Sequence, residues 1–388
     1  MKKMKSEELA GMELKDRLRA HTEAIVGDYP TRHAGSEGDY AAADYVEGEL
    51  RALGLTVIRE SYPVRGWHYR SATFRDLTLG CSVPGFTACY FSASCDVTGK
   101  LVIFEDLPAE DVSVEGCICF CTLLEAGVGR LNKMAEELER RGAAAAIFTT
   151  YGHCDVAPST KRVRSPFINT IATLAVNAEG GFYLLSHSEH TYRLTVDAEP
   201  YDTVAYNVIG RREGGSKKVV FGAHYDGSPL IAAAGDNASG TAMLLEMARM
   251  FADYRGDCTL DFVAFSAEEY IAYDYPPGSE DYVKRHGHED IAFFMNFDDY
   301  GIFYAKPHYE IGHPEKLPAD KLPPYGVSLA SGDDKTFIAA GIPTIWLCDK
   351  KPFRILHTAL DTVDVCNFPK MADGVITCYE LAMRLMED

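Results

Sequence analysis

The stretch 217-KKVVFGAHYDGSP-229 decides how this chain is read. Its apolar, β-branched run has the texture of a strand buried on both faces, and it breaks on a glycine, a histidine and an aspartate. A strand that ends this way delivers an imidazole, His224, to the crevice at a sheet edge, where α/β proteins place working residues. Asp226, two residues on, is positioned to hold the other nitrogen of the ring, as the partners of metal-bound histidines do. Working outward, 206-YNVIGRR-212 precedes the stretch, and a helix over 239-SGTAMLLEMARMFADY-254, the strand 258-CTLDFVAFSAEE-269, a helix near 281-DYVKRHG-287, the strand 292-AFFMNFDD-299 and the strand 341-GIPTIWL-347 follow it. This alternation predicts an α/β fold with a mixed, largely parallel sheet and helices on both faces.

The chemistry-bearing residues fall at the ends of those strands. Asp236 and Asn237 stand before Ser239, a candidate N-cap for the next helix. Glu268 and Glu269 end a strongly apolar strand, where two adjacent carboxylates would repel one another if both were buried without compensation. Division of labour explains them better: Glu269 as a metal ligand and Glu268 as general base and acid toward a water. Asp298 ends a third strand, and His357 lies in 357-HTALDT-362. Two imidazoles with three or four carboxylates suit a pair of borderline divalent ions, typically zinc, about 3.5–4 Å apart. Asp236, Glu269 and Asp298, with neutral His224 and His357, would offset two such ions to one residual positive charge, which a hydroxide would cancel.

The chain has 388 residues, more than one average domain. Between about Ala72 and Glu199 the texture changes to short β-rich runs such as 86-FTACYFS-92 and 99-GKLVIFED-106, with one clear helix in 131-LNKMAEELERRG-142. This predicts an inserted, smaller β-rich domain over 72–199 and a catalytic domain made of 1–71 and 200–388. The insertion resembles the protease-associated domain that interrupts many aminopeptidases.

A net charge of −19 disfavours phosphate backbones and anionic lipid as partners, so neither nucleic acid nor membrane is expected. The opening MKKMKSEELAGMELKDRLRAH has no apolar core of signal-peptide length, and there is no later run of 18 apolar residues. The eleven cysteines are odd in number and irregular in spacing, and 117-CICFC-121 reads as core packing. A reducing, cytoplasmic setting is the expectation. There is no G-x-S-x-G elbow and no phosphate-binding loop, which argues against serine hydrolases and nucleotide binding.

Taken in order, 31-TRHAGSEG-38, GAHYDGSP, GDNASGTA, FSAEE, NFDD, 331-SGDDKTFIAAGIP-343 and HTALDT resemble the co-catalytic zinc aminopeptidases. That family includes aminopeptidase Y and the bacterial leucyl aminopeptidases, with glutamate carboxypeptidase and the transferrin receptor as relatives. The resemblance implies a zinc-peptidase, phosphorylase/hydrolase-like fold, two zinc ions and short peptide substrates. It implies one ion on His224, Asp236 and Asp298, a second on Asp236, Glu269 and His357, Asp226 as the residue that orients His224, and Glu268 as proton shuttle. Two departures stand out. 270-YIAYDYPP-277 intervenes before Gly278-Ser279, so Tyr270, Tyr273 and Tyr275 are candidates to reshape a specificity pocket, and Asp299 stands where the family more often has an apolar residue. Competing readings are a carboxypeptidase or dipeptidase, which needs a cation for the substrate carboxylate (Arg32, Lys335 or Arg354), a single-zinc glutaminyl cyclase-like acyl transferase, and a non-catalytic binding module.

Overall fold

The computed structural model describes residues 11–29, 31–106, 109–122, 128–149, 171–270, 275–287, 290–302, 306–350 and 355–387. Contacts divide the chain into two compact units: Met1–Val64, Thr203–Leu356 and Asp361–Asp388 form the first, and Arg65–Asp202, with the four residues His357–Leu360, the second. In chain order the elements are α1 (Leu14–Val26), α2 (Glu37–Ala52), β1 (Thr56–Asp76), β2 (Cys81–Ser82), β3 (Phe86–Ala88), β4 (Cys95–Phe104), β5 (Ile118–Cys121), α3 (Val128–Arg140), β6 (Ala145–Thr149), β7 (Ala172–Val176), α4 (Ala178–Ser186) and β8 (Thr191–Arg212). They continue with β9 (Lys217–His224), α5 (Ser239–Met250), β10 (Cys258–Phe265), α6 (Pro277–His286), β11 (Ile291–Phe297), β12 (Lys306–Gly312), β13 (Gly326–Val327), α7 (Asp334–Ala339), β14 (Thr344–Lys350) and α8 (Phe368–Met386).

In the first unit β14, β11, β9 and β10 run parallel in that spatial order, and antiparallel partners flank them, β12 beside β14 and β8 beside β10. The expected mixed, largely parallel sheet is the one observed. Every residue of β10 is buried, which explains why its sequence is a nearly continuous apolar run rather than an alternation. Alternate residues serve the two faces. Val219, Phe221 and Phe262 pack with Leu18 and Ile25 of α1, Val46 and Leu50 of α2, Leu244 and Met247 of α5 and Val375 and Leu381 of α8. Val220, Val263 and Phe265 pack on the other face with Tyr282 of α6 and Phe337 of α7. The strand direction set by this double burial carries the C-terminal ends of β9, β10 and β11 to one edge.

One local expectation is corrected. Ser239 is not the cap of α5. The Asn237 side chain accepts the Gly240 amide at 3.1 Å, and the Ser239 hydroxyl donates to the carbonyls of Gly235 at 2.9 Å and Tyr300 at 3.2 Å. Asn237, one residue before the Ala238 N-cap position, makes the capping bond because it stands three residues before the amide it satisfies, whereas Ser239 already lies in the first turn. Gly240 permits the approach: a Cβ there would stand 2.2 Å from both Asn237 Oδ1 and the Phe297 carbonyl oxygen.

In the second unit β4, β5, β6 and β7 are parallel neighbours, and β3 pairs antiparallel with β7. The runs read as β-rich therefore form their own parallel set, with α3 between β5 and β6 in the chain and α4 after β7. Cys119 and Cys121 are buried with Met134, Leu138, Ala146 and Phe148, and Cys117 packs against the same cluster. The three cysteines sit on one face of the β5 segment because strand side chains alternate.

Candidate metal centre at the strand ends

His224 is the last residue of β9 and is fully buried. The Thr241 hydroxyl of α5 donates to its carbonyl at 2.8 Å and fixes the strand end. On the ring, Nδ1 lies 3.2 Å from the Asp226 carbonyl oxygen and 3.4 Å from Asp226 Oδ1, so the carbonyl makes the closer contact of the orienting partner. Nε2 lies 3.2 Å from Asp298 Oδ1, 3.2 Å from Asp236 Oδ1 and 3.9 Å from Glu268 Oε2. Burial disfavours the charged imidazole, but Asp298, Asp226 and Asp236 more than offset it and hold its pKa well above the ordinary histidine value. A single nitrogen facing that many carboxylates marks a place built for positive charge.

One ligand atom from each of His224, Asp236 and Asp298 lies within 4.8 Å of the others. The same is true of Asp236, Glu269 and His357, so Asp236 belongs to both groups. Among the described residues these are the groups of three or more His, Cys, Asp or Glu side chains that converge in this way. The donor types, imidazole nitrogen with carboxylate oxygen, fit borderline divalent ions such as zinc.

Adjacent Glu268 and Glu269 separate in environment. Glu269 is buried and accepts the Ser228 hydroxyl at 3.1 Å, whereas Glu268 keeps partial exposure. The Asp226 carboxylate accepts both of their amides, Glu268 N–H at 3.2 Å and Glu269 N–H at 3.1 Å, and so ties the β9 end to the β10 end. The turn that separates the two glutamates from β10 is strained, with Ala267 at φ 63°. Leu230, Ala233, Asp299 and His357 are also non-glycine residues at positive φ, at 65°, 48°, 52° and 61°. Such strain costs on the order of 1–3 kcal/mol each, persists only where surroundings over-determine the backbone, and concentrates at functional sites.

Several supports lie inside the quoted stretches, where the sequence assigned them no such role. Asp361 is buried and accepts the Gly235 amide at 2.6 Å and the Asp236 amide at 3.2 Å, which holds the Asp236 turn. Trp346 Nε1 donates to the Asp298 carbonyl at 2.9 Å, and Asn237 Nδ2 donates to that of Phe297 at 2.8 Å. Gly332 leaves room beside the site, since a Cβ there would stand 3.2 Å from Asp298 Oδ2 and 3.5 Å from Glu268 Oε1. Asp333, next to it, is buried, and burial pushes its carboxyl up to about 7, with His224 lowering it and Asp298 and Asp226 raising it. The signal for these was membership of the quoted stretches: Asp361 in HTALDT, Asp333 in SGDDKTFIAAGIP.

The candidate cations for a substrate carboxylate part ways. Arg32 is fully buried with its guanidinium on backbone carbonyls, Lys335 stands over the Tyr275 ring at 5.3 Å, and Arg354 lies outside the described residues. Of the loop tyrosines, Tyr270 is buried, Tyr275 is half-buried, and Tyr273 lies outside the described residues. Asp299 occupies a left-handed turn, and its carbonyl accepts the Asp349 amide at 2.9 Å.

Residues 207–377 match the family model for peptidase family M28. An aminopeptidase of Pseudomonas aeruginosa is 26% identical over 292 residues, 70% of this chain and 54% of that protein. The chain spans about half the length of such curated relatives. A solved peptidase M28 precursor from Shewanella amazonensis superposes with a TM-score of 0.80 at 21% identity, covering 98% of this chain and 95% of the other. A zinc aminopeptidase from Bacillus subtilis superposes with a TM-score of 0.76 at 20% identity, covering 96% of each chain. These superpositions establish the fold, and the family match covers the segment that carries the motifs from β8 to α8.

Proposed function

We propose, from the match of residues 207–377 to the model for peptidase family M28, that the chain is a two-zinc aminopeptidase acting on short peptides. The single observation that carries this reading is the sharing of Asp236 between two converging donor groups. His224, Asp236 and Asp298 would hold one ion, and Asp236, Glu269 and His357 the other. Bound there, the ions would supply Lewis-acid polarisation of a scissile carbonyl and a lowered pKa for water.

The chain's own residues supply the rest. Glu268, the partly exposed member of the pair, stands beside His224 Nε2 and would take a proton from the attacking water and return it to the leaving amine. Asp226 holds His224 and the two glutamate amides in register, so base and ligands keep a fixed relation. The burial of Arg32 removes one cation that a carboxypeptidase would need for the substrate carboxylate, which favours reading the substrate from its amino end. Asp299, in its left-handed turn beside Asp298, is the residue we assign to the free α-amine.

Residues 72–199 are proposed as a protease-associated-like insertion. A cytoplasmic setting belongs to the same proposal, supported by the free thiols of the ten described cysteines. No described helix is long and apolar enough to cross a membrane.

The test is mass spectrometry of a short peptide incubated with zinc-loaded protein, beside the same peptide acetylated at its N terminus. Stepwise N-terminal trimming of the free peptide alone supports the aminopeptidase. C-terminal trimming, N-terminal cyclisation or no change would replace it with the carboxypeptidase, cyclase or binding-module reading respectively.

A further inference from the structure

The segment 31-TRHAGSEGD-39 lies far in sequence from the other motifs yet grips three site-bearing turns. The Arg32 side chain is fully buried, and it reaches carbonyls rather than a carboxylate. Its Nε donates to the Tyr225 carbonyl at 3.1 Å, between His224 and Asp226. Its Nη1 and Nη2 donate to the carbonyls of Ala232 at 2.5 Å and Ala233 at 2.7 Å, just before the Asp236 turn. The Arg32 carbonyl in turn accepts the Gly227 amide at 3.2 Å, and the Leu230 amide donates to the Thr31 hydroxyl at 3.3 Å.

The third grip comes from Asp39. Its Oδ2 accepts the Gly35 amide at 2.9 Å, and its Oδ1 accepts the Ser266 hydroxyl at 2.8 Å, two residues before Glu268. Ser36 accepts the Asp39 amide at 3.2 Å, so the same short segment also caps α2 and is anchored by that helix.

Burying a guanidinium is costly unless the surroundings compensate it. Here burial pulls the Arg32 pKa down to about 10, and Asp361, Asp226, Asp39 and Asp236 hold it up, so the group stays charged near neutral pH. The charge is thus kept inside an acidic cluster, with its donors spent on the His224–Asp226 turn and on the residues that lead into Asp236.

We infer that Arg32 is a positioning residue for the metal centre: its fork sets the His224–Asp226 turn against the Asp236 turn, so that Asp236 faces both donor groups. The inference rests on the metal-site reading given above. It assigns to Arg32 a role in ion affinity rather than in substrate binding, because its side chain is shut off from solvent.

The test is zinc affinity, measured by competition with a chromophoric chelator, in the full chain and in Arg32→Met and Arg32→Lys, with far-UV circular dichroism to establish folding. Arg32→Met is expected to bind zinc about 10–100-fold more weakly while folded, the range for residues that orient ligands. Arg32→Lys keeps the charge but cannot span three carbonyls, and it is expected to bind zinc more weakly than the unaltered chain and more tightly than Arg32→Met. Unaltered affinity in a folded Arg32→Met chain would overturn the inference and leave Arg32 a stability residue. Should Arg32→Met not fold, Arg32→Lys decides: weakened zinc binding supports positioning, and unaltered binding overturns it. Failure of the unaltered chain to bind zinc would remove the metal-site reading itself, a result distinct from both.

Discussion

The strand ends of the first unit and strand β5 of the second are both rich in residues that can bind metal, and only one of them converges. His224, Glu269 and Asp298 stand at or just past the ends of three neighbouring parallel strands; His224 and Asp298 converge with Asp236 although 74 residues separate them, and Glu269 joins through the same Asp236. Cys117, Cys119 and Cys121 occupy every second position of one short run, and that alternation presents them to an apolar cluster. Burial raises the Cys119 thiol to about 12 and lifts the Cys121 thiol as well, so both stay protonated and poorly suited as ligands. Convergence from separate elements, rather than local density of donors, marks the site.

The comparison is broken or sharpened by substitutions in each region. Glu268→Gln should lower kcat by about 10²–10⁴-fold while zinc content is unchanged. Loss of zinc in that variant, read by elemental analysis, would make Glu268 a ligand and spoil its separation from Glu269. Asp333 gives a stability effect. Its folded pKa of about 7 stands above the ordinary acid value of 3.8, so between these values the folded state holds a proton that the unfolded chain has lost. The Asp333 contribution to the stability of the metal-free protein should therefore fall as pH rises from about 4 to 7, by on the order of 4 kcal/mol in full. Asp333→Asn should abolish that decline, and a denaturation series at pH 5 and pH 8 with equal slopes in both proteins would refute it. Asp226→Asn should weaken zinc binding about 10–100-fold, because one carboxylate holds the His224 ring and two amides. In the second region, Cys119→Ser should cost about 1–3 kcal/mol by burying a hydroxyl among apolar groups. Its zinc content should not move, and any loss there would erase the contrast.

What the sequence made legible follows from the same contrast. Parallel strands buried on both faces are written as apolar runs that stop on polar residues, so β9, β10 and β11 and their terminal His224, Glu268, Glu269 and Asp298 could be picked out from sequence. The supports could not, because a hydrogen bond to backbone leaves no periodic trace. Arg32 read as a candidate cation for a substrate carboxylate and proved buried on carbonyls, and Asp361, part of HTALDT with no role assigned, proved to hold the Asp236 amide. Ser239 read as a cap because its residue type is right, while the deciding factor was which side chain stood three residues before an open amide. The parallel pairing of β4 to β7 was hidden because short apolar runs specify burial and not partners.

The central claim, that three strand ends and His357 build one site for two divalent ions around Asp236, is tested most directly by counting zinc in the purified chain and in Asp236→Ala by elemental analysis after dialysis. Two zinc ions per chain, with both lost in Asp236→Ala, is the result this account predicts. Retention of both ions in Asp236→Ala, or no zinc bound by the unaltered chain, would contradict it.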